Sequence, residues 1–290
     1  SLSQEQKKAL LFLTEALNSQ RFSTVLLHGV TGSGKTEVYL RIIEKTLKMG
    51  KTALVLMPEI GLTPRIAQEF DARLRNQIAI LHSGLSNGER YDEWWRIKNG
   101  RARVVIGTRS AVFAPLSNLG LIVVDEEHDP SYKQQESPRY HGRDTALVLG
   151  KKTGALVILG SATPSIETFH NAKVGKYDYL RLSSRIDFRP LPKVKLVDMR
   201  KEFSLLDNKA PISVQLNSAI EKRLTKKEQS IILINRRGYS TFLLCRSCGQ
   251  NIQCQQCSIA LTFHKVRNAL VCHYCDFFQA VPKKCAKCSS

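Results

Sequence analysis

Between an apolar run, Val25-Leu26-Leu27, and a helix-like stretch over 37–49, the chain carries Gly29-Val30-Thr31-Gly32-Ser33-Gly34-Lys35-Thr36. The segment fits G-x-x-x-x-G-K-[ST] at every fixed position, in the strand–loop–helix setting that the pattern requires. Glycines at these places let backbone N–H groups close around an anion without Cβ clashes. The helix that follows points the positive end of its dipole at the same anion. The segment therefore reads as a phosphate cradle. Gly29, Val30, Thr31, Gly32, Ser33 and Gly34 form the loop, Lys35 reaches the β- and γ-phosphates of ATP, and the Thr36 hydroxyl meets Mg²⁺. A chain built around it is α/β, with ligand loops at the carboxyl ends of parallel strands.

The surrounding pattern agrees. Helices are expected over 4–18, 37–49, 64–75, 88–98 and 142–151. Short apolar strands are expected at 25–27, 52–57, 78–81, 103–106, 121–124 and 156–159. Strands that are apolar throughout belong to a parallel sheet buried on both faces.

The fifth of these strands ends in acids: Leu121-Ile122-Val123-Val124-Asp125-Glu126-Glu127-His128. Asp125 is placed to hold Mg²⁺, and Glu126 to polarise an attacking water as general base. Two further loops lie at the same sheet edge. Gly107-Thr108-Arg109-Ser110 offers N–H groups, hydroxyls and the Arg109 cation to phosphates. Ser161-Ala162-Thr163 follows the strand at 156–159, a turn of small residues with two hydroxyls at the same edge. Between Asp129 and Asp144 the aromatics Tyr132, Tyr140 and His141 alternate with Lys133, Arg139 and Arg143. Aromatic faces stack on unpaired bases while cations meet phosphates, as single-strand binding requires.

Charge supports a polyanionic partner. The 290 residues hold 44 Lys and Arg against 25 Asp and Glu, 44 − 25 = +19. Two zinc sites made of thiolates would lower this to roughly +15, still strongly basic. No apolar run is long enough to span a membrane. The N-terminus lacks the basic-then-apolar pattern of a signal peptide, so a cytoplasmic location is expected. The absence of an initiator Met points to an excised piece.

The eight cysteines all lie between Cys245 and Cys288, as four C-x-x-C pairs. Each pair lets two sulfurs hold one tetrahedral Zn²⁺ from a tight turn, so eight ligands make two sites. Cys254 and Cys257 are separated from Cys272 and Cys275 by a spacer close to that of a zinc ribbon. That leaves Cys245 and Cys248 to join Cys285 and Cys288, a nested order; spacing alone also permits sequential pairing. Lys283, Lys284, Lys287, Arg246, Lys265 and Arg267 make this segment basic.

Several stretches together make the chain resemble the bacterial replication-restart helicases, the primosomal protein N′ family of helicase superfamily two. They are 29–39, Pro58-Glu59-Ile60-Gly61-Leu62-Thr63-Pro64, His82-Ser83-Gly84-Leu85, Gly107 to Ala111, Asp125-Glu126-Glu127-His128, Gly160-Ser161-Ala162-Thr163-Pro164, Asn235-Arg236-Arg237-Gly238 and the cysteine pairs. The resemblance covers essentially the whole chain. It implies a RecA-like P-loop helicase lobe, a partial second lobe and a Cys-rich insertion with two zinc sites in the nested pairing. It implies that His128 couples the γ-phosphate state to Ser161 and Thr163, that Gln6 recognises adenine, and that the 129–144 segment reports DNA occupancy to the ATP site. It also implies ATP-dependent 3′→5′ unwinding at stalled forks. Forked and single-stranded DNA, single-strand-binding protein and other primosome proteins are the implied partners.

The expected organisation is a first lobe over 1–180, a connector over 181–210, the start of a second lobe over 211–244, and the zinc segment over 245–290. The partial second lobe should include a helix through Arg223 and a strand at 231–234. With no family motifs after Cys288, the chain is expected to bind ATP and DNA but to hydrolyse and unwind poorly. Two other readings share these features: a DNA and protein assembly platform with dispensable hydrolysis, and a translocase on duplex DNA that does not unwind.

Overall fold

The computed structural model describes residues 2–58, 64–74, 77–186, 192–206, 212–233, 243–245, 247–257, 259–264 and 268–289. The chain forms two compact units, Ser1–Pro190 and Leu191–Ser290.

The first unit is a parallel sheet wrapped by helices. Its strands are β1 (Ser23–Gly29), β2 (Thr52–Leu56), β3 (Ile78–Leu81), β4 (Val104–Gly107), β5 (Leu119–Val124), β6 (Leu156–Ser161) and β7 (Asp178–Leu182). They lie in the order β3-β4-β2-β5-β6-β1-β7, every pair parallel. Among the described residues the helices that cover it are α1 (Gln4–Asn18), α2 (Lys35–Lys48), α3 (Pro64–Leu74), α4 (Asn87–Lys98), α5 (Gly142–Thr153) and α6 (Ile166–Lys173). A 3-10 turn, Arg109–Phe113, follows β4.

The period of two in each strand splits the core into two layers. Val25, Leu27, Ala53, Val55, Val123 and Ile158 face one way and pack with Leu13 of α1, Ile42 of α2 and Phe70 of α3. Leu54, Leu56, Ile122, Val124 and Leu159 face the other way, with Ile97 of α4, Ala146 of α5 and Val112 of the 3-10 turn. Each fully buried side chain of this size contributes roughly 1.5–3 kcal/mol. The expected strands and helices of this unit all form. β7 was not expected: it is an edge strand whose residues before Leu182 are exposed or half-buried, so it has no apolar run.

Capping residues set the helix starts. Ser3 and Gln6 form a reciprocal capping box on α1, and Ser86 and Glu89 do the same on α4. Ser165 accepts from the Thr168 amide at the start of α6. Such caps are each worth about 1 kcal/mol.

The topology gathers the strand ends that matter. β1 lies between β6 and β7, and β5 lies beside β6. Gly29, Val124 and Ser161 therefore leave the sheet at one edge.

The second unit contains α7 (Met199–Leu206), α8 (Val214–Thr225) and an antiparallel sheet of β8 (Thr262–His264), β9 (Ala269–Val271) and β10 (Phe278–Ala280) in the order β10-β9-β8. The helix expected through Arg223 is α8. The strand expected at 231–234 does not form over 231–233, where Ile231 is 99% and Leu233 87% exposed; among the described residues no strand pairs with this run. Ile234 lies outside the described residues, as do 59–63 and 235–238. The first compact unit runs to Pro190, past the expected boundary at 180, because β7 ends at Leu182 and the chain then turns back over the phosphate loop. No helix among the described residues is long and apolar enough to cross a membrane.

Candidate nucleotide and zinc sites

The loop after β1 is shaped for an anion. Gly34 has φ +78°, and a Cβ there would come within 2.3 Å of Gln6 Nε2 and 2.7 Å of Ile186 Cδ1. Only glycine fits this turn. Lys35 opens α2 and is 9% exposed. Its Nζ donates to the Gly29 carbonyl at 3.0 Å and lies 3.8 Å from Glu126 Oε1. Among the described residues Ser33 Oγ is buried with no protein partner. A buried hydroxyl without a partner is costly, and a loop of this kind suits an incoming anion. Thr31 is exposed and Val30 and Thr36 are half-buried, all on the same turn.

Gln6 is 3% exposed. Its Nε2 donates to the Ser33 carbonyl at 2.9 Å and its Oε1 accepts from the Ser3 amide at 2.8 Å. The side chain expected to read adenine thus braces the phosphate loop in this state. Sequence reading missed a second brace. The chain after β7 returns across the loop, with the Ile186 amide donating to the Gly32 carbonyl at 3.0 Å. Ser183 donates its amide at 2.8 Å, and its hydroxyl, to the Glu5 carboxylate. Those bonds hold Glu5 below the usual carboxylate range. Arg185 belongs to this strap, and among the described residues its Nε is buried without a protein partner.

Asp125 and Glu126 follow β5. Asp125 is tied at three atoms: its amide donates to the Leu56 carbonyl at 2.9 Å, its carbonyl accepts from Tyr132 Oη at 2.6 Å, and its Oδ1 accepts from Tyr39 Oη at 2.9 Å. Burial, and then the neighbouring Glu126 charge, push the Asp125 carboxyl up. Burial and the Asp125 charge push the Tyr39 phenol well above its ordinary range, so it remains a donor at neutral pH. Glu126 has φ +44°, a left-handed conformation that costs a non-glycine residue about 1 kcal/mol or more.

His128 joins this edge to β6. Its Nδ1 lies 2.8 Å from Ser161 Oγ and its Nε2 3.3 Å from Thr163 Oγ1. The Thr163 amide donates to Ser161 Oγ at 3.0 Å. Lys35, Glu126, His128, Ser161 and Thr163 are thus joined by successive contacts of 3.8 Å or less, with Asp125 beside Glu126 in the chain and Thr36 beside Lys35 at the start of α2.

The segment after His128 is arranged differently from a stacking surface. Tyr132 is 0% exposed and belongs to the second core layer, so its ring is closed to bases. Arg143 is half-buried. Its Nη1 donates to Glu127 Oε2 and to Ser165 Oγ, both at 2.9 Å, and its Nε to Asp144 Oδ1. Arg109 Nη1 donates to the carbonyls of Ser131 and Lys133, tying the segment down. Tyr140 is half-buried with its ring edge-on to Phe113 at 5.1 Å. Lys133 and Arg139 remain exposed. Glu127, given no role by the sequence, is wholly buried and accepts from Arg143, from Thr168 Oγ1 and from both the amide and hydroxyl of Ser165. Nothing in the run of acids distinguishes it from Glu126; only the register that turns it inward does.

In the second unit the cysteines gather as two sets, Cys245, Cys248, Cys285 and Cys288, and Cys254, Cys257, Cys272 and Cys275, with the sulfurs of each within 4.8 Å of one another. This is the nested order, and it excludes the sequential one. The Sγ separations for Cys245–Cys288, Cys248–Cys285 and Cys254–Cys275 are each 3.6 Å. A tetrahedron with Zn–S bonds of about 2.3 Å has S–S edges near 3.8 Å, so the donor sets fit zinc. Backbone N–H groups of Cys288 and Lys287 lower the Cys285 thiol to about 6. The turn thus favours the thiolate that a metal needs. Cys254 and Cys272 are buried with Leu261 and Leu270 in a small cluster, with Ile252, Phe263 and Phe277 among the half-buried groups packed against it. Lys283, Lys284 and Lys287 are exposed, while Arg246, Lys265 and Arg267 lie outside the described residues.

The fold and the site define a P-loop helicase lobe. Residues 4–172 match the DEAD/DEAH box helicase family, and the chain belongs to that family. Residues 254–279 match the Cys-rich region domain of the PriA DNA helicase. The chain is similar to the replication restart protein PriA of Bacillus subtilis, 47% identical over 289 residues, which is 100% of this chain and 36% of that protein. It is 49% identical over 280 residues to PriA of Synechocystis, 93% of this chain and 34% of that protein. The Haemophilus influenzae PriA is 43% identical, covering 100% of this chain and 39% of that protein. The chain thus spans little more than a third of these relatives, and the resemblance read from the sequence is borne out over that span. A solved structure of RecG bound to a three-way DNA junction shares the fold, with TM-score 0.50 and 23% identity over 68% of this chain and 25% of that one.

Proposed function

We propose that this chain carries the ATP-driven motor of a replication-restart DNA helicase. The observation that carries the reading is the convergence of Lys35, Asp125, Glu126, His128, Ser161 and Thr163 at one edge of the sheet. The backbone N–H groups of the loop and Lys35 bind the β- and γ-phosphates. For this, Lys35 Nζ exchanges the Gly29 carbonyl for a phosphate oxygen. Thr36 and Asp125 would hold Mg²⁺, which when bound neutralises charge on the phosphates. Glu126 accepts the proton of the attacking water, a role worth about 10²–10⁴ in rate. Its carboxylate lies 3.8 Å from Lys35 Nζ, on a backbone in the left-handed region.

His128 passes the state of the site to Ser161, the last residue of β6, and to Thr163 just beyond it. The exposed cations Lys133 and Arg139 meet DNA phosphates. Tyr132, with its ring in the core and its hydroxyl on the Asp125 carbonyl, ties that segment to the metal-binding acid. The two zinc sites hold a basic platform beside the motor in sequence. The resemblance to replication-restart helicases supports 3′→5′ polarity, recognition of stalled forks, assembly of primosome proteins and contact with single-strand-binding protein.

Equilibrium binding of a fluorescent ATP analogue and of labelled single-stranded DNA tests this reading. Wild-type chain should bind both, and Lys35→Ala should lose the nucleotide but keep the DNA. Equal nucleotide affinity in the two proteins would overturn the assignment of the site.

A further inference from the structure

Tyr39 lies one helical turn after Lys35, on the same face of α2. It is 0% exposed, surrounded by the aliphatic side chains of the first core layer. A phenylalanine would fill this volume without bringing a hydroxyl into an apolar layer. The hydroxyl is matched by one acceptor, Asp125 Oδ1, at 2.9 Å. The neighbouring strand makes room for the contact. A Cβ on Gly160 of β6 would stand 1.7 Å from Tyr39 Oη and 3.3 Å from Asp125 Oδ1. Gly160 therefore has no side chain where the phenol meets the carboxylate.

The backbone of Asp125 is already held on both sides, its amide by the Leu56 carbonyl and its carbonyl by Tyr132 Oη. The side chain keeps two rotations, about its Cα–Cβ and Cβ–Cγ bonds. A hydrogen bond to Oδ1 restricts both and so limits where the second oxygen can lie.

We propose that Tyr39 is the positioning residue for the cation-binding carboxylate: its Oη fixes the Asp125 side chain for Mg²⁺, and Gly160 is glycine to admit it. This rests on the reading of Asp125 as the Mg²⁺ ligand. Groups that orient a metal ligand commonly change metal affinity by about 10–100-fold when removed. A residue that only packed the core would act on stability, with metal-bound and metal-free states affected alike.

The test compares the affinity of the 290-residue chain for a fluorescent ADP in EDTA and in Mg²⁺, and takes the ratio as the gain due to metal. Tyr39→Phe keeps the ring and loses only the donor. Its metal-free affinity should match the wild type, and its Mg²⁺ gain should fall about tenfold; a fall of less than threefold overturns the proposal. Gly160→Ala reaches the same hydroxyl from the other side and leaves Tyr39 and Asp125 chemically intact, so it should lower the gain in the same way. If Tyr39→Phe unfolds, that second variant decides alone. Asp125→Asn separates the two ideas. If it abolishes the gain while both other variants keep it, Tyr39 has no positioning role. If Asp125→Asn keeps the gain, the metal reading beneath the proposal is wrong and the proposal falls with it.

Discussion

Replacing Glu127 with alanine should be among the most damaging single changes in the first unit. The carboxylate is 0% exposed and accepts from Arg143 Nη1, the Ser165 amide and hydroxyl, and Thr168 Oγ1 at distances of 2.7–3.1 Å. Arg143 is itself only 14% exposed, so solvent screens the pair poorly. Removing the carboxylate leaves a guanidinium short of its main buried partner and strips α6 of an anchor at its cap. Breaking a buried pair in this way costs about 3–5 kcal/mol. For a unit of this size each kcal/mol is worth roughly 2–4 °C, which gives a fall in the unfolding midpoint of roughly 6–20 °C. Arg143→Ala should cost less, about 1–3 kcal/mol, because Glu127 keeps the Ser165 and Thr168 donors. Denaturant unfolding of the two variants and their double mutant measures both costs and their coupling. A Glu127→Ala cost below about 1 kcal/mol, or additive behaviour in the double mutant, would refute the reasoning.

Lys133→Ala with Arg139→Ala should weaken single-stranded DNA binding and flatten its salt dependence by about one unit or more in the log–log slope, while melting is unchanged; fluorescence anisotropy across a salt series reads this, and an unchanged slope counts against these cations. Metal analysis should find two zinc ions per chain, and one in Cys245→Ser or Cys254→Ser; chelation should unfold the zinc segment while nucleotide binding by the first unit persists. Burial pushes the Glu37 carboxyl up, but hydrogen bonds from Arg73 and Arg41 outweigh it and hold the group below 4.5. A lowered folded value contributes stability that is complete above about pH 4.5 and is lost as pH falls through the folded value. Glu37→Gln should therefore lower the melting temperature at pH 7 and matter less toward pH 3; an equal effect at both would show that the ion pairs contribute nothing.

The parts legible in the sequence are those governed by local spacing. The phosphate loop is set by glycine and lysine positions within eight residues, and the acids by their place after an apolar strand. The cysteine clusters follow from pair spacing, although only the fold settles which pairs join. Side-chain exposure depends on the whole layer and was not legible. Tyr132 and Arg143 have the composition of a nucleic-acid surface, yet one is sealed in the core and the other is held by Glu127. The strap from Ser183 to Ile186 was invisible for another reason. Its anchor, Glu5, is 178 residues away, and its polar residues read as connector. The apolar run at 231–233 had every local property of a strand, yet among the described residues no strand pairs with it.

The most direct test of the account is single-turnover hydrolysis of bound ATP by wild-type chain and by Glu126→Gln, each with forked DNA present. However slow the wild-type single turnover of this chain, the variant should bind ATP equally well and hydrolyse it at least about 100-fold more slowly. Equal rates at equal binding, with the wild-type rate measurable, would contradict this, because the water would then be activated by some group other than the acid that follows Asp125.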